Sequence, residues 1–162
     1  MGLDMYLKAR KCTYISQYED DPEYKPAYVK DALDKIICAI EVPEAFDKFG
    51  SRIFECDAMY WRKANAIHHW FVENVQHGND DCGSYYVSTE SLTQLRDLVR
   101  QVLNGDRKKT PELLPTQSGF FFGSTDYDEK YWWDLEDTEK SLSKILAMPD
   151  LESWVFEYQS SW

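Results

Sequence analysis

The sequence predicts an α+β fold, with about four helices packed on a short, mostly antiparallel, aromatic-rich sheet of four to five strands. Stretches with the two-residue period of a strand alternate along the chain with stretches that have the 3.6-residue period of a helix. The predicted strands are short and aromatic, and they lack the continuous Val/Ile runs of a buried parallel sheet. Aromatic residues make up 15% of the chain, which indicates a core of large rings. A length of 162 residues is typical of one domain, so we expect a single domain over residues 1–162.

The first part of the chain is predicted to form a strand, an acidic loop and a helix. Apolar and polar residues alternate over residues 2–10, as in a strand with one buried face. Residues 16–25 are rich in acidic residues and contain a proline, which is typical of a surface loop. Helical spacing follows from Pro26 to Ile40, and residues 51–58 have the pattern of a second short strand.

The central stretch, residues 59–72, is predicted to be a buried helix that carries its polar groups at one end. Its apolar residues recur at three- to four-residue spacing, at Tyr60, Ala64, Ile67, Phe71 and Val75. Gly78 suits the position after the last turn. His68 and His69 point about 100° apart on a helix, so only one of them can face inward.

The next part of the chain is predicted to form a strand and a helix. Residues 85–87 have the pattern of a short strand, and Ser88 is a good N-cap for the helix after it. Asn104-Gly105 ends that helix. Residues 106–115 are then predicted to be loops.

The last part is predicted to contain a strand, a helix and a final strand. Three Phe lie between two Gly in residues 117–126, a composition that suits a buried strand. A fourth long helix is expected from Tyr127 to Ala147, with Asp126 or Asp128 as its N-cap. Residues 154–158 alternate as a last strand, with Trp154, Phe156 and Tyr158 on one side.

The charge balance limits the classes of partner. The net charge of −11 argues against direct binding of nucleic acid or of an anionic membrane, because phosphate binding depends on Lys and Arg. A partner protein with a basic surface stays possible, and the charge equally serves solubility. The longest apolar run, residues 36–40, is too short to cross a bilayer, and the N-terminus does not resemble a signal peptide. We therefore expect a cytoplasmic protein.

The cysteine and histidine spacings predict neither a metal site nor a cofactor. Cysteines lie at positions 12, 38, 56 and 82, without a C-x-x-C pair, and the three histidines complete no zinc pattern. We interpret the cysteines as reduced thiols of the core.

One convergent polar patch is the candidate binding site. Its candidate residues are Trp61, Arg62, Asn65, His68, His69, Ser124, Thr125 and Asp126. On a helix, residues three or four apart are neighbours, so Arg62, Asn65 and His69 would form a polar strip beside an aromatic wall. Gly123-Ser-Thr125 resembles an anion-binding loop in composition, but it is not a P-loop, and a neighbouring Asp would repel phosphate. The alternatives are a hydrogen-bonded core histidine, core tryptophans and an ordinary turn.

The helix predicted for residues 127–147 carries a candidate acidic patch on its outer face. The patch consists of Asp128, Glu129, Asp134, Glu136, Asp137 and Glu139. Carboxylates on a helix could occupy the basic groove of a partner, as phosphates would. The alternative is an ordinary solvated helix face.

Four strings of residues together carry a family resemblance. They are Gly2-Leu-Asp-Met-Tyr-Leu7, Tyr60-Trp-Arg-Lys-Ala-Asn65 with Ile67-His68 and Trp70-Phe-Val72, Tyr85-Tyr86-Val87, and Ser118-Gly-Phe-Phe-Phe-Gly-Ser-Thr125 with Tyr127-Asp128. The chain resembles, over most of its length, a group of small uncharacterised proteins from tailed bacteriophages and prophages. The resemblance implies an accessory protein that acts in the cytoplasm of a bacterial host, and it assigns no catalytic residue.

Three classes of function follow from these features. The first is a protein that acts by binding, for instance an acidic inhibitor of a host defence or nucleic-acid-handling protein. The second is a protein that binds or sequesters a small, nucleotide-like ligand at the polar patch. The third is a small hydrolase-type enzyme that uses Cys82 with His68 or His69 as nucleophile and base.

Overall fold

The computed structural model describes residues 2–14, 32–40 and 51–162. The strands are β1 (Asp4–Tyr14), β2 (Ser51–Arg62), β3 (Ser84–Val87) and β4 (Trp154–Ser161). The helices are α1 (Ala32–Ala39), α2 (Asn65–Asn74), α3 (Thr89–Asn104), α4 (Thr110–Leu113) and α5 (Glu129–Leu146). Two short 3₁₀ turns cover Arg107–Lys109 and Leu151–Ser153. The predicted loop at residues 16–25 and the predicted start of the first helix at residues 26–31 lie outside the described residues.

The four strands form one antiparallel sheet in the order β2-β1-β4-β3. In the antiparallel pair of β3 with β4, Tyr85 lies opposite Tyr158 and Val87 opposite Phe156. Within the described ranges, four helices have eight residues or more. The predicted α+β class, with about four helices and a short aromatic-rich sheet, is therefore confirmed.

The chain divides into two compact units. One unit contains residues 1–9 and 57–162, and the other contains residues 10–56. In the smaller unit, Arg10 of β1 forms an ion pair with Glu55 of β2. The larger unit contains α2 to α5 and every candidate site residue named above. The expectation of a single domain over 1–162 stays a prediction.

The core of the larger unit is built from one face of the sheet and the inner faces of α2, α3 and α5. Its fully buried side chains include Leu3, Met5, Leu7, Ile67, Phe71, Leu92, Leu95, Leu135, Leu142, Phe156 and Tyr158. The Phe71 ring stacks on the Tyr158 ring with centroids 3.9 Å apart and planes at 8°. Burying a side chain of this size stabilises the fold by roughly 1.5–3 kcal/mol, so this cluster fixes α2 against the sheet.

The central stretch is a strand end followed by a helix, and the prediction of one helix over residues 59–72 is wrong. Met59 and Trp61 are buried while Tyr60 and Arg62 are exposed, which is the two-residue period of a strand. β2 therefore continues to Arg62, and α2 begins only at Asn65. The two apolar periods coincide over these few residues, so spacing alone could not separate strand from helix.

Residues 117–126 form turns rather than the buried strand predicted for them. Phe122 is buried and its N–H donates to Gly119 O at 3.2 Å, whereas Phe120 is 94% exposed. The N–H of Leu3 donates to Phe121 O at 3.0 Å, which holds the segment beside the start of β1. Gly123 has φ +88°, in the left-handed region that favours glycine. The apolar side chains therefore anchor a loop.

Several local predictions are confirmed and two are wrong. Ser88 Oγ accepts from Ser91 N at 3.0 Å and caps α3, and Asp128 Oδ1 accepts from Tyr131 N at 3.0 Å and caps α5. Residues 106–115 are not all loop, because a 3₁₀ turn and α4 lie within them. The cysteines at positions 12 and 56 are exposed and that at position 82 is half-buried, so these three do not belong to the core.

Candidate functional site

A groove lies between the end of β2 and the outer face of α5, and we call it the α5 groove. It encloses about 390 Å³. Its lining residues are Tyr60, Trp61, Arg62, Lys63, Lys130, Trp133, Asp134 and Asp137. A volume of this size is within the range of pockets that hold small organic ligands.

Strand and helix periodicity place these residues around one groove. On β2 the alternation that buries Trp61 turns Tyr60 and Arg62 outward. On α5 the residues at 130, 133, 134 and 137 follow the spacing of a single helix face. The groove therefore joins the outer face of a strand end to one side of a helix.

Two aromatic rings form the walls of the groove. Trp133 is 63% exposed and Tyr60 is 48% exposed. The Tyr60 ring packs against the ring of Tyr6, with centroids 5.3 Å apart, and its hydroxyl donates to the carboxylate of Asp4. That hydrogen bond raises the pKa of Tyr60 above its ordinary value. The Tyr60 ring is thus fixed in place, while Trp133 presents a large apolar surface to solvent.

Lys130 and Asp134 form an ion pair at the base of the groove. The Lys130 Nζ lies 2.8 Å and 2.7 Å from the two carboxylate oxygens of Asp134. Asp134 is buried, and this burial raises the pKa of its carboxyl, while the hydrogen bond from Lys130 opposes the rise. The pair largely cancels its own charge.

The positive charge of Arg62 is only weakly balanced by the nearby carboxylate of Asp4. Its guanidinium lies 3.9 Å from Asp4 Oδ1, too far for a hydrogen bond, and its side chain is 62% exposed. An exposed ion pair at this distance contributes little to stability, so the guanidinium can turn toward another anion.

Lys63 is held by its backbone and by two glycines. It has φ +57°, which is unusual for a residue with a side chain, and its N–H donates to Leu3 O at 2.7 Å. A methyl group at Gly2 would lie 3.0 Å from Lys63 Cε, and one at Gly123 would lie 3.1 Å from Lys63 Cβ. In the described part of the chain, no carboxylate lies within ion-pairing distance of the Lys63 ammonium.

A smaller cavity of about 30 Å³ adjoins the groove between the start of α2 and α5. Among its lining residues are the predicted site residues Asn65, Ser124 and Asp126, and it shares Lys63, Lys130 and Asp134 with the groove. This volume suffices for about two water molecules.

Asn65 holds the loop that follows α4. Its amide donates to Phe122 O at 3.1 Å and to Ser124 O at 2.7 Å, and its Oδ1 accepts from Gln117 N at 3.1 Å. The side chain is buried and its amide is largely used within the fold. We therefore assign it a structural role.

The Gly123–Asp126 turn is closed by its own groups. Ser124 Oγ donates to Asp126 Oδ2 at 3.1 Å and accepts from Asp126 N at 3.0 Å. Thr125 O accepts from Thr116 Oγ1 at 2.9 Å. Because the Ser124 hydroxyl already donates to the Asp126 carboxylate, it is not available to donate to a bound anion.

Trp61 is part of the core. It is 3% exposed, and its indole N–H donates to Thr138 Oγ1 at 2.8 Å. A buried indole needs such a partner. Trp61 thus closes the floor of the α5 groove without presenting its N–H to a ligand.

His68 is the histidine that faces inward. Its Nδ1 lies 2.8 Å from Tyr158 Oη, and its Nε2 lies 3.1 Å from Asp80 Oδ2, whose other oxygen accepts from the Trp162 indole at 3.0 Å. Because a carboxylate only accepts, Nε2 carries the proton and Nδ1 accepts from the Tyr158 hydroxyl. Burial lowers the pKa of His68, and Asp80 opposes this shift.

These contacts bear on the predicted Cys–His pairing. Both His68 nitrogens are occupied, and His69 is half-buried on the neighbouring side of α2. Among the described residues, no hydrogen bond joins Cys82 to either histidine. The residues described also include no cluster of three or more His, Cys, Asp or Glu that could hold a metal ion.

The predicted acidic patch is not one free array. Asp134 is buried against Lys130, Asp128 caps α5, and Glu139 accepts from Arg100 at 2.6 Å. The hydrogen bond from Arg100 lowers the pKa of Glu139. Glu129 and Glu136 are exposed, and Asp137 is half-buried at the groove.

The sequence-level site omitted Tyr60, Lys63, Lys130 and Trp133. Helical spacing assigns Tyr60 to the apolar stripe of a helix, and this prediction is wrong because Tyr60 lies in the strand β2. Trp133 carried a usable signal, because it is the aromatic residue among charged neighbours on the outer face of α5. Nothing in the sequence pointed to the slot that Gly2 and Gly123 form for Lys63.

The comparisons add no relative to this picture. No protein-family model, curated protein or solved structure matches the chain. The resemblance to phage proteins therefore stays a prediction. No helix in the part of the chain that the structure describes is long and apolar enough to cross a bilayer.

Proposed function

We propose that this protein acts by binding a small planar ligand in the α5 groove. The observation that carries the proposal is the exposure of two aromatic rings, Tyr60 and Trp133, in one groove of about 390 Å³. Exposed tryptophan is uncommon on a soluble protein, because it leaves a large apolar area in water. A planar ligand seated between the rings would remove that area from solvent.

Aromatic stacking supplies both affinity and selection for planarity. Favourable ring pairs contribute about 0.5–1.5 kcal/mol beyond the area that they bury. The Tyr60 ring is already fixed by Tyr6 and Asp4, so little conformational entropy is lost when a ligand packs on it.

The site supports binding more than catalysis. His68, the buried histidine, is held between Tyr158 and Asp80 and does not line the groove. In the phage context that the resemblance implies, the protein would bind or sequester a small molecule in the cytoplasm of a bacterial host.

A ligand panel tests this proposal. Adenosine, guanosine, riboflavin and free tryptophan are titrated by isothermal calorimetry into the protein and into the variants Tyr60→Ala and Trp133→Ala. We expect at least one of these planar compounds to bind, and each variant to weaken that binding about tenfold. Tyr86→Ala is the matched control, because Tyr86 is 68% exposed on β3 and lies outside the groove. Equal affinity of Trp133→Ala and Tyr86→Ala would sink the proposal.

A second candidate is a partner protein of the host with a basic surface. A shallow surface next to the groove is lined by Trp132, Trp133, Glu129, Glu136 and Lys130. An exposed Trp flanked by carboxylates is a frequent anchor for a partner rich in Arg or Lys.

Charge reversal on α5 tests the second candidate. The double variant Glu129→Lys with Glu136→Lys is compared with Glu152→Lys, an exposed position on the 3₁₀ turn before β4, in affinity capture from bacterial lysate. A stoichiometric partner that is lost only from the double variant, and at high salt from the native chain, supports this candidate. A partner retained by the double variant contradicts it.

A further inference from the structure

We propose that the ligand of the α5 groove is a free nucleotide, with its base on Tyr60 and Trp133 and its phosphate on Lys63 and Arg62. This inference rests on the proposed function and names the class of molecule that the groove takes. Four observations carry it, namely the local charge, the placement of Lys63, the geometry of Arg62 and the exposed aromatic faces.

The charge of the groove is opposite to that of the molecule. The chain has a net charge of −11, yet the groove is lined by Arg62, Lys63 and Lys130 against Asp134 and Asp137. The Lys130–Asp134 pair cancels, so Arg62 and Lys63 face the half-buried carboxylate of Asp137 in the groove, while Asp4 lies 3.9 Å from Arg62. A cationic site on an acidic surface favours a small anion over neutral ligands.

Lys63 is a cation that the fold positions before any ligand binds. Its positive φ is a strained conformation for a residue with a side chain, and such strain persists only where the surroundings fix it. Here the Leu3 carbonyl fixes the backbone, while Gly2 and Gly123 leave a slot for the aliphatic stem. A cation that is already ordered loses less conformational entropy when it binds phosphate.

Arg62 complements Lys63 beside the same groove. The planar guanidinium can donate two parallel hydrogen bonds to phosphate oxygens, whereas the ammonium of Lys63 acts as a compact charge. Among the described residues, the one ion pair of Arg62 is the long contact of 3.9 Å with Asp4, and its side chain is 62% exposed, so its guanidinium N–H groups can turn toward a phosphate.

The aromatic walls suit the base. Base–aromatic stacking tolerates any nucleobase, because every base has a π face. Trp133 and Tyr60 line the same groove as Arg62 and Lys63, so a molecule that joins a planar ring to a phosphate can use both groups together. The volume of about 390 Å³ fits one such molecule.

The overall charge argues for a free nucleotide over a nucleic acid. A polymer would bring many phosphates against a chain with 29 acidic and 18 basic residues, and repulsion would grow with each phosphate outside the groove. A single nucleotide brings its charge into the groove alone, where Arg62 and Lys63 lie.

The test compares the parts of the ligand with the whole. AMP, GMP, CMP and UMP, their nucleosides, inorganic phosphate and a single-stranded oligodeoxyadenylate are titrated into the full chain by calorimetry. We expect at least one nucleoside monophosphate to bind about tenfold or more tightly than its nucleoside. We also expect Lys63→Gln and Arg62→Gln each to weaken nucleotide binding about tenfold and to leave nucleoside binding unchanged. Lys140→Gln, an exposed position on α5 outside the groove, should bind the nucleotide as the native chain does.

Each outcome separates the two proposals. If a nucleoside binds as tightly as its nucleotide and Lys63→Gln has no effect, the aromatic groove stands and the nucleotide inference is overturned. If the oligonucleotide binds more tightly than every mononucleotide, a free nucleotide is not the ligand. If neither nucleotides nor any planar compound binds, both proposals fail. Arg62→Gln, on an exposed strand position, keeps the test decisive if Lys63→Gln does not fold.

Discussion

At the scale of single residues, His68 is a fully buried polar group with a partner at each ring nitrogen. Its ring is fully buried between the Tyr158 hydroxyl and the Asp80 carboxylate, and Asp80 also accepts from the Trp162 indole. This chain of hydrogen bonds connects α2 to the turn before β3 and to the end of β4. The neutral imidazole satisfies both neighbours, so the network depends on its protonation state.

His68 gives the fold a pH dependence with a defined sign. Burial lowers the pKa of His68 in the folded state below its ordinary value of 6.5. The folded state therefore favours the neutral ring, and its contribution is fully present above pH 6.5 and lost as the pH falls from there toward the folded pKa. Each unit of lowering corresponds to about 1.4 kcal/mol.

Urea unfolding at about pH 8 and about pH 5 measures this contribution. We expect the native chain to lose more of its free energy of unfolding between the two pH values than His68→Gln loses. The raised pKa of Asp134 acts in the opposite direction, but it is common to both proteins and cancels in the comparison. The same pH dependence in both proteins would contradict this role of His68.

Asn65 is the second residue whose replacement should lower the free energy of unfolding. Replacement by Ala removes three hydrogen bonds and leaves the carbonyls of Phe122 and Ser124 and the N–H of Gln117 without that partner. We expect Asn65→Ala to lower the free energy of unfolding by about 2–3 kcal/mol. Asn104→Ala is the control, because its exposed amide makes one hydrogen bond, to Arg100 O, and should change stability by less than about 1 kcal/mol. Similar losses for the two variants would contradict the assigned role of Asn65.

At the scale of elements, the sequence predicts a segment correctly where its apolar residues fit either the helix period or the strand period. It does not do so where they fit both periods. Ser88 and α3, Asp128 and α5, and the alternation of β4 follow from the sequence, because caps and amphipathic periods act locally. Residues 59–62 fit both a helix and a strand, and only the sheet decides between them. The turns at 117–126 depend on tertiary hydrogen bonds from Leu3 and Asn65, which no local pattern contains.

The same difference between local patterns and tertiary contacts explains which parts of the candidate site could be predicted from the sequence. The sequence-level set included Trp61 and Arg62, which line the α5 groove, and Asn65, Ser124 and Asp126, which line the adjoining cavity. His68 is buried elsewhere in the core, where its partners come from β4 and from the turn before β3. Charge and residue type identified the region, but the direction of each side chain depended on where β2 ends.

Two glycines with positive φ allow the slot around Lys63 to be tested. Gly123 has φ +88° and its added methyl would lie 3.1 Å from Lys63 Cβ, whereas Gly78 has φ +80° and its added methyl would meet nothing within 4 Å. We expect both Gly123→Ala and Gly78→Ala to lower the free energy of unfolding by about 1 kcal/mol or more, through the backbone. Only Gly123→Ala should also weaken nucleotide binding in calorimetry. An equal effect of the two variants on binding would show that the slot does not position Lys63.

At the scale of the whole molecule, the contrast between global and local charge is the main feature. The acidic chain should repel polyanions, while the α5 groove concentrates cations between aromatic walls. Much of the negative charge predicted for α5 is used within the fold, by Asp128 as a cap and by Asp134 and Glu139 in ion pairs. The groove is therefore better suited to a small ligand than the acidic face is to imitating phosphates.

The indole resonances of the six tryptophans give the most direct test of the groove as a binding site. The Trp133 Nε1–H signal is assigned in a proton–nitrogen correlation spectrum by its loss from Trp133→Phe, and the nucleoside monophosphates are then titrated into the native chain. The account predicts that the Trp133 signal shifts in a saturable manner, while the signal of the core residue Trp70, which lies outside the groove, stays in place. A Trp133 signal that does not move at saturating nucleotide, or that moves no more than that of Trp70, would contradict the account.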